Sequence, residues 1–152
     1  MPEVGQPAPE FALEDGQGNT VRLSDFRGRK VVLYFYPKDM TPGCTQEACD
    51  FRDRYAALQQ AGVALLGVSP DGAASHTRFT AKHALPFPLL SDPGAAVATA
   101  YGVWKQKSLY GRTFMGIERT TFVIDEQGRI ARVWPRVKVA GHGDEVLAAV
   151  QA

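Results

Sequence analysis

Val31-Val32-Leu33-Tyr34-Phe35-Tyr36-Pro37-Lys38-Asp39-Met40-Thr41-Pro42-Gly43-Cys44 is the stretch that decides the fold. Its first six residues are β-branched, aliphatic or aromatic, with no polar alternation. That is the pattern of a strand buried on both faces. Pro37 ends it, and Thr41-Pro42-Gly43 is a turn that opens a helix. With Thr41 as N-cap, Pro42 falls at the first helical position, where proline is favoured, and Cys44 at the third. A buried strand feeding a helix through a tight turn predicts an α/β domain.

The rest of the chain extends that pattern. Phe11–Glu14 and Val21–Leu23 flank the turn-forming Asp15–Asn19 and predict an N-terminal β-hairpin. Ser24–Gly28 reads as a short capped turn. Thr45–Ala61 is one helix in pattern, with Phe51, Tyr55 and Leu58 on one face, Asp50–Arg54 as a supporting pair and Gly62 at its end. Val63–Ser69 is a second buried strand, Ala73–His83 a helix, Phe87–Ser91 a short strand and Ala95–Tyr101 a short helix. Thr121–Asp125 is a third core strand. A turn at Glu126–Gly128 leads into a strand over Ile130–Val139, and His142–Ala152 is a terminal helix. Strands alternating with helices, plus a late hairpin, predict a three-layer α/β domain: a central mixed sheet flanked by helices. One domain over residues 1–152 is expected, without repeats or linkers.

Composition narrows the function classes. Of 152 residues, 45% are hydrophobic, which is enough for a real core, and 17 Lys and Arg against 16 Asp and Glu leave a net charge of +1. No basic run marks a nucleic-acid partner. No apolar stretch approaches a membrane span, and Met1–Gly5 lacks the regions of a signal peptide. A cytoplasmic, reducing location is expected, where two cysteines are more often catalytic or metal-binding than structural. The absence of an obvious exposed apolar run points to a monomer.

Cys44 and Cys49 are the only cysteines, five positions apart. Cys44 has a plain reading as a small buried hydrophobe. Its place in the first turn of a helix favours a second one, because unpaired N–H groups and the helix dipole favour a thiolate there. A lowered pKa alone does little. Moving a thiol from about 8.5 to about 6 gives on the order of 30-fold more thiolate at pH 7 but costs roughly 10-fold in intrinsic nucleophilicity. Aimed hydrogen-bond donors must supply the rest. Thr41, three residues before Cys44, is one candidate donor, although N-capping alone would explain it. Arg119 is another, in Gly116-Ile117-Glu118-Arg119-Thr120-Thr121 before a core strand; it also reads as one solvated arginine among many. Glu47, three after Cys44, is either a helix-surface acid or a carboxylate that orients an arginine. Cys49 is either a core thiol that never bonds or a partner for Cys44. On an ideal helix residues five apart have Cα atoms roughly 8–9 Å apart, beyond the about 7 Å limit of a disulfide. A Cys44–Cys49 bond therefore requires the first turns of the helix to unwind.

Other chemistries lack their signatures. The C-x4-C spacing is not the thioredoxin C-x-x-C. His76, His83 and His142 have no metal-ligand spacing with the cysteines. There is no Gly-rich phosphate loop and no Gly-x-Ser-x-Gly elbow. Trp104, Trp134, Phe114 and Met115 read as packing residues, with Trp104 and Phe114 also placed to wall a pocket near Arg119.

Pro37, Thr41 and Cys44 match the Pro-x-x-x-Thr-x-x-Cys signature of the peroxiredoxins. The run Lys38–Cys49 resembles the subgroup called bacterioferritin comigratory protein, or peroxiredoxin Q. Looser matches are Val4–Pro9 with Phe11, Tyr101–Trp104 and Gly116–Phe122. This resemblance implies a thioredoxin-like fold and a peroxidase of hydrogen peroxide and organic hydroperoxides, with no cofactor or metal. It implies that Cys44 is the peroxidatic cysteine, that Thr41 and Arg119 polarise the O–O bond, and that Pro37 shields the oxidised sulfur. Glu47 falls where the family has an acid that orients the arginine. Cys49 would be the resolving cysteine, its disulfide with Cys44 reduced by thioredoxin or a similar dithiol. The rival class is a thiol-disulfide oxidoreductase without peroxidase activity.

Overall fold

The computed structural model describes residues 1–151. Strands β1 (Ala12–Asp15) and β2 (Thr20–Arg22) form the leading hairpin, and a 3-10 turn over Leu23–Phe26 carries the chain to β3 (Lys30–Phe35). Helices α1 (Pro42–Asp53) and α2 (Tyr55–Gln60) follow, then β4 (Val63–Ser69), α3 (Ala73–His83) and β5 (Leu89–Ser91). After a 3-10 turn come α4 (Ala96–Ala100), β6 (Trp104–Leu109), β7 (Arg112–Ile117), β8 (Thr120–Ile124), β9 (Ile130–Trp134) and α5 (His142–Gln151). Seven strands form one sheet in the order β2-β1-β5-β4-β3-β8-β9. The β3–β4 and β4–β5 pairs are parallel; β1–β2, β1–β5, β3–β8 and β8–β9 are antiparallel. The sheet is mixed and flanked by helices, as the sequence predicts.

The sheet's centre explains why β3 shows no polar alternation. Val31, Leu33 and Phe35 point to one face and pack with Leu66, Val68, Phe122, Ala98 and Tyr101. Val32, Tyr34 and Tyr36 point to the other and pack with Ala48 and Phe51 of α1, Leu58 of α2, Phe79 of α3, and Val146 and Val150 of α5. Both faces are covered, so every β3 side chain after Lys30 is buried. Gly67 on β4 makes room for this packing. A Cβ there would lie 2.9 Å from Leu89 Cδ2, Tyr34 Cζ and the Tyr34 hydroxyl. Gly67→Ala is therefore expected to destabilise the protein by about 1–3 kcal/mol through overpacking. Urea unfolding reads this directly, and an unchanged midpoint would show that the neighbours yield freely.

Several local expectations need correction. The helix placed over Thr45–Ala61 begins at Pro42 and breaks at Arg54, whose φ of −105° and ψ of 3° leave the helical region. Arg54 does not pair with the Asp50 side chain. Its Nη1 donates to the Asp50 carbonyl and its Nε to Asp144 of α5, so the side chain ties the break to the terminal helix. The strand expected to reach Val139 stops at Trp134 because Pro135 has no N–H to continue the ladder. Finally, β6 and β7 form a separate two-stranded hairpin that the sequence reading missed. Tyr110 (φ 52°) and Gly111 (φ 76°) make its two-residue turn. The hairpin leaves Leu109, Tyr110, Phe114 and Met115 exposed, so Phe114 and Met115 are not core residues and the surface does carry an apolar cluster.

Candidate active site

Strand register brings the site together. Phe35 at the end of β3 pairs with Thr120 at the start of β8. Arg119, one residue earlier, therefore arrives where β3 ends and the Pro37–Thr41 loop begins. The same face of α1 buries Cys44, Glu47, Ala48 and Phe51, the spacing of successive helical turns. Arg119 bridges the first two. Its Nη2 donates to Cys44 Sγ at 3.2 Å, and its Nη1 donates to Glu47 Oε1 at 2.6 Å. Gly43 permits this approach: a Cβ there would lie 3.3 Å from Arg119 Nη2. Cys44, a residue only 2% exposed, sits at the third position of α1 among the helix's unpaired N–H groups.

Glu47 is 2% exposed, and its Oε2 has no hydrogen-bond partner. Burial pushes its pKa up to about 7, against the opposing pull of Arg119. Burial also disfavours charge on Arg119, but Glu47 and the Cys44 sulfur outweigh it and hold the guanidinium firmly protonated. The folded protein thus binds the Glu47 proton more tightly than the unfolded chain does. Stability is expected to fall as pH rises from about 4.5 to about 7, by up to on the order of 3 kcal/mol. Glu47→Gln should flatten that slope in urea melts compared at pH 5 and pH 8. A wild-type slope unchanged by the substitution would mean that the carboxyl does not titrate in this range.

Thr41 is the N-cap of α1 by its backbone, φ −79° and ψ 153°, but its hydroxyl does not cap the helix. The hydroxyl donates instead to the Lys38 carbonyl at 2.8 Å. Its lone pairs stay free beside the first turn of α1. Pro37 is half-buried at the head of the loop. Cys49 lies within α1 and is half-buried; it and Cys44 are both free thiols.

Sequence reasoning missed the clamp beneath this loop. The Asp39 carboxylate is buried and accepts hydrogen bonds from Tyr36 at 2.6 Å, Ser75 at 2.7 Å and His76 Nδ1 at 2.7 Å. Burial pushes the Asp39 pKa up, but these donors outweigh it and hold the carboxyl below its ordinary value. The other ring nitrogen of His76 faces the Leu90 carbonyl at 3.0 Å, so both nitrogens have a partner. The Asp39 N–H donates to Asp71, which also accepts from Ser69. Between this clamp and the Thr41 cap, Met40 takes a φ of 68°, a left-handed conformation uncommon for a side-chain-bearing residue. Ser75-His76 on a helix next to a buried strand was the available signal, but only the third dimension brings it to Asp39. Trp104 packs against the core, while Phe114 is half-exposed on the hairpin. Among the described residues no three of His, Cys, Asp and Glu gather as a metal site, and no helix is long and apolar enough to cross a membrane.

The AhpC/TSA family matches residues 4–133. Peroxiredoxin Bcp of Bacillus subtilis is 51% identical over 145 residues, covering 95% of this chain and 92% of its own. Peroxiredoxin Bcp of Escherichia coli K12 is 46% identical over 145 residues, covering 95% and 93%. Among solved structures, a cysteine-to-serine mutant of Xylella fastidiosa PrxQ superposes with a TM-score of 0.94 at 37% identity, covering 99% of this chain and 96% of that one. The Xanthomonas campestris bacterioferritin comigratory protein, solved as trapped intermediate and ligand complexes of its alkyl peroxide reduction activity, gives 0.92 at 40% identity and covers 98% of each chain. The family match, the sequence identities and the superpositions agree, and the chain belongs to the AhpC/TSA family, within its Bcp/PrxQ peroxiredoxins.

Proposed function

We propose that this single-domain chain is a thiol peroxidase that reduces hydrogen peroxide and organic hydroperoxides without metal or cofactor. Cys44 is the nucleophile. Its thiolate attacks the peroxide oxygen that carries hydrogen, the O–O bond breaks, and that hydrogen passes to the other oxygen, which leaves as water or an alcohol; the sulfur becomes a sulfenate, and a proton from water makes it the sulfenic acid. The free lone pairs of the Thr41 hydroxyl accept the peroxide hydrogen and orient it, and Arg119 stabilises the charge that develops on the oxygens. Glu47 holds Arg119, and Pro37 shields the oxidised sulfur.

Cys49 then attacks the sulfenic sulfur, water leaves, and a Cys44–Cys49 disulfide forms. Thioredoxin or a similar dithiol restores both thiols. Both cysteines lie in α1, Pro42–Asp53, and a disulfide cannot span five residues of intact helix, so the first turns of α1 unwind in this step. Cys44, Cys49, Arg119 and Glu47 all lie in one chain, which suits oxidation and disulfide formation within a monomer. Two free thiols in a chain of this size suit a cytoplasmic setting.

The observation that carries the reading is a guanidinium shared between a buried sulfur and a buried carboxylate. Burial also argues against the rival thiol-disulfide oxidoreductase. A cysteine only 2% exposed is reached by a small peroxide far more readily than by a protein disulfide. Stopped-flow mixing of reduced protein with hydrogen peroxide decides between them. The peroxidase consumes one equivalent rapidly; a protein that ignores peroxide yet reduces insulin disulfides is the oxidoreductase.

A further inference from the structure

Cys49 does not sit alone on α1. Its Sγ lies 3.8 Å from Nδ1 of His83, the last residue of α3. His83 is held at two points, ring and backbone. Its ring packs edge-on against the fully buried Phe79, with centroids 5.5 Å apart and planes at 86°. The His83 backbone carbonyl accepts a hydrogen bond from Arg52 Nη1 at 2.8 Å. Arg52 belongs to α1, three residues beyond Cys49, so the helix that carries the sulfur also fixes the histidine. The other two histidines are committed elsewhere: His76 to Asp39 and Leu90, and His142 to Thr121 and Glu145. Among the described residues, His83 alone presents a ring nitrogen to a cysteine.

We propose that His83 is the base that takes the thiol proton of Cys49 when the disulfide forms. This rests on the two-cysteine cycle given above. With the ring hydrogen on Nε2, Nδ1 accepts the proton from Cys49. The Cys49 sulfur then attacks Cys44 Sγ, a sulfur–sulfur bond forms, and the Cys44 S–O bond breaks. The departing hydroxide recovers the proton and leaves as water. One sulfur is oxidised and the other reduced, with no further co-reactant.

The geometry also says which cysteine travels. Phe51, 1% exposed, and Arg52 anchor α1 on the far side of Cys49. Unwinding from the N-terminal end moves Cys44, while Cys49 stays on its base. The charged groups at the contact are Arg52 on α1, with Asp53 on its Nε at 3.0 Å, and the exposed Lys82 on α3. The hydrogen bond with Asp53 is the main cause that raises the Arg52 pKa.

The test is single-turnover disulfide formation in His83→Gln, followed by quenched mass analysis between pH 6 and pH 9. An unaided thiol is about 3% ionised at pH 7, so the loss has a ceiling near 30-fold; roughly 10-fold slowing at pH 7 is expected, closing toward about pH 9. Consumption of the first peroxide should match wild type, and added imidazole should speed disulfide formation in His83→Ala. An unchanged rate at pH 7, or equal slowing at every pH, overturns the role of His83 while leaving the cycle standing. A wild-type protein that never forms the Cys44–Cys49 bond overturns both.

Discussion

Arg119→Met slows the reaction of reduced protein with hydrogen peroxide by about 10²–10³-fold, the usual loss when an aimed donor leaves a dry site. The substitution keeps the side chain's bulk but removes both hydrogen bonds that Arg119 makes, to Cys44 Sγ and to Glu47 Oε1. It also leaves Glu47, 2% exposed, with neither oxygen paired. Breaking one side of a buried ion pair typically costs about 3–5 kcal/mol, less whatever the carboxyl regains by taking up a proton. Rate and stability therefore fall together in the single variant. The pair Arg119→Met with Glu47→Gln separates them, because it removes the stranded carboxylate without restoring the donor. Stability should recover in urea melts while the peroxide rate stays low. If the rate recovers with stability, Arg119 serves the fold rather than the chemistry.

Cys49→Ser consumes its first equivalent of peroxide at the wild-type rate and then stops. Steady-state turnover with thioredoxin should fall by more than about 100-fold, since no disulfide is left for a dithiol to reduce. The Cys44 sulfenic acid accumulates and goes on to sulfinic and sulfonic acids under excess peroxide. Coupled thioredoxin oxidation and intact mass follow the two halves. Normal turnover in this variant would remove Cys49 from the cycle and leave an external thiol as the resolving group.

The sheet's centre was legible because burial on both faces writes an uninterrupted apolar run, and β3, β4 and β8 were placed within a residue or two. The β6–β7 hairpin was not, because its strands lie mostly exposed and carry no period-two pattern to find; only the Tyr110-Gly111 turn hinted at it. The break at Arg54 was hidden for a different reason. The burial pattern of Phe51, Tyr55 and Leu58 runs through it, and the Arg54 side chain at the break finds its partner, Asp144, ninety residues away. Cys44 announced itself through its turn, its cap position and its proline. Arg119 did not, since nothing local distinguishes it from other arginines; resemblance raised it, and the β3–β8 register explains its arrival at the sulfur. Asp39 with His76, and Cys49 with His83, are pairings across elements that spacing along the chain does not encode.

The central claim is a cycle in which Cys44 is oxidised and Cys49 captures the product after the start of α1 unwinds. Intact mass of the reduced protein after one equivalent of hydrogen peroxide, followed by peptide mapping, tests it most directly. The expected product has lost two hydrogens, with Cys44 and Cys49 joined in one cross-linked peptide. A product that retains one added oxygen on Cys44 while Cys49 remains a free thiol would contradict it.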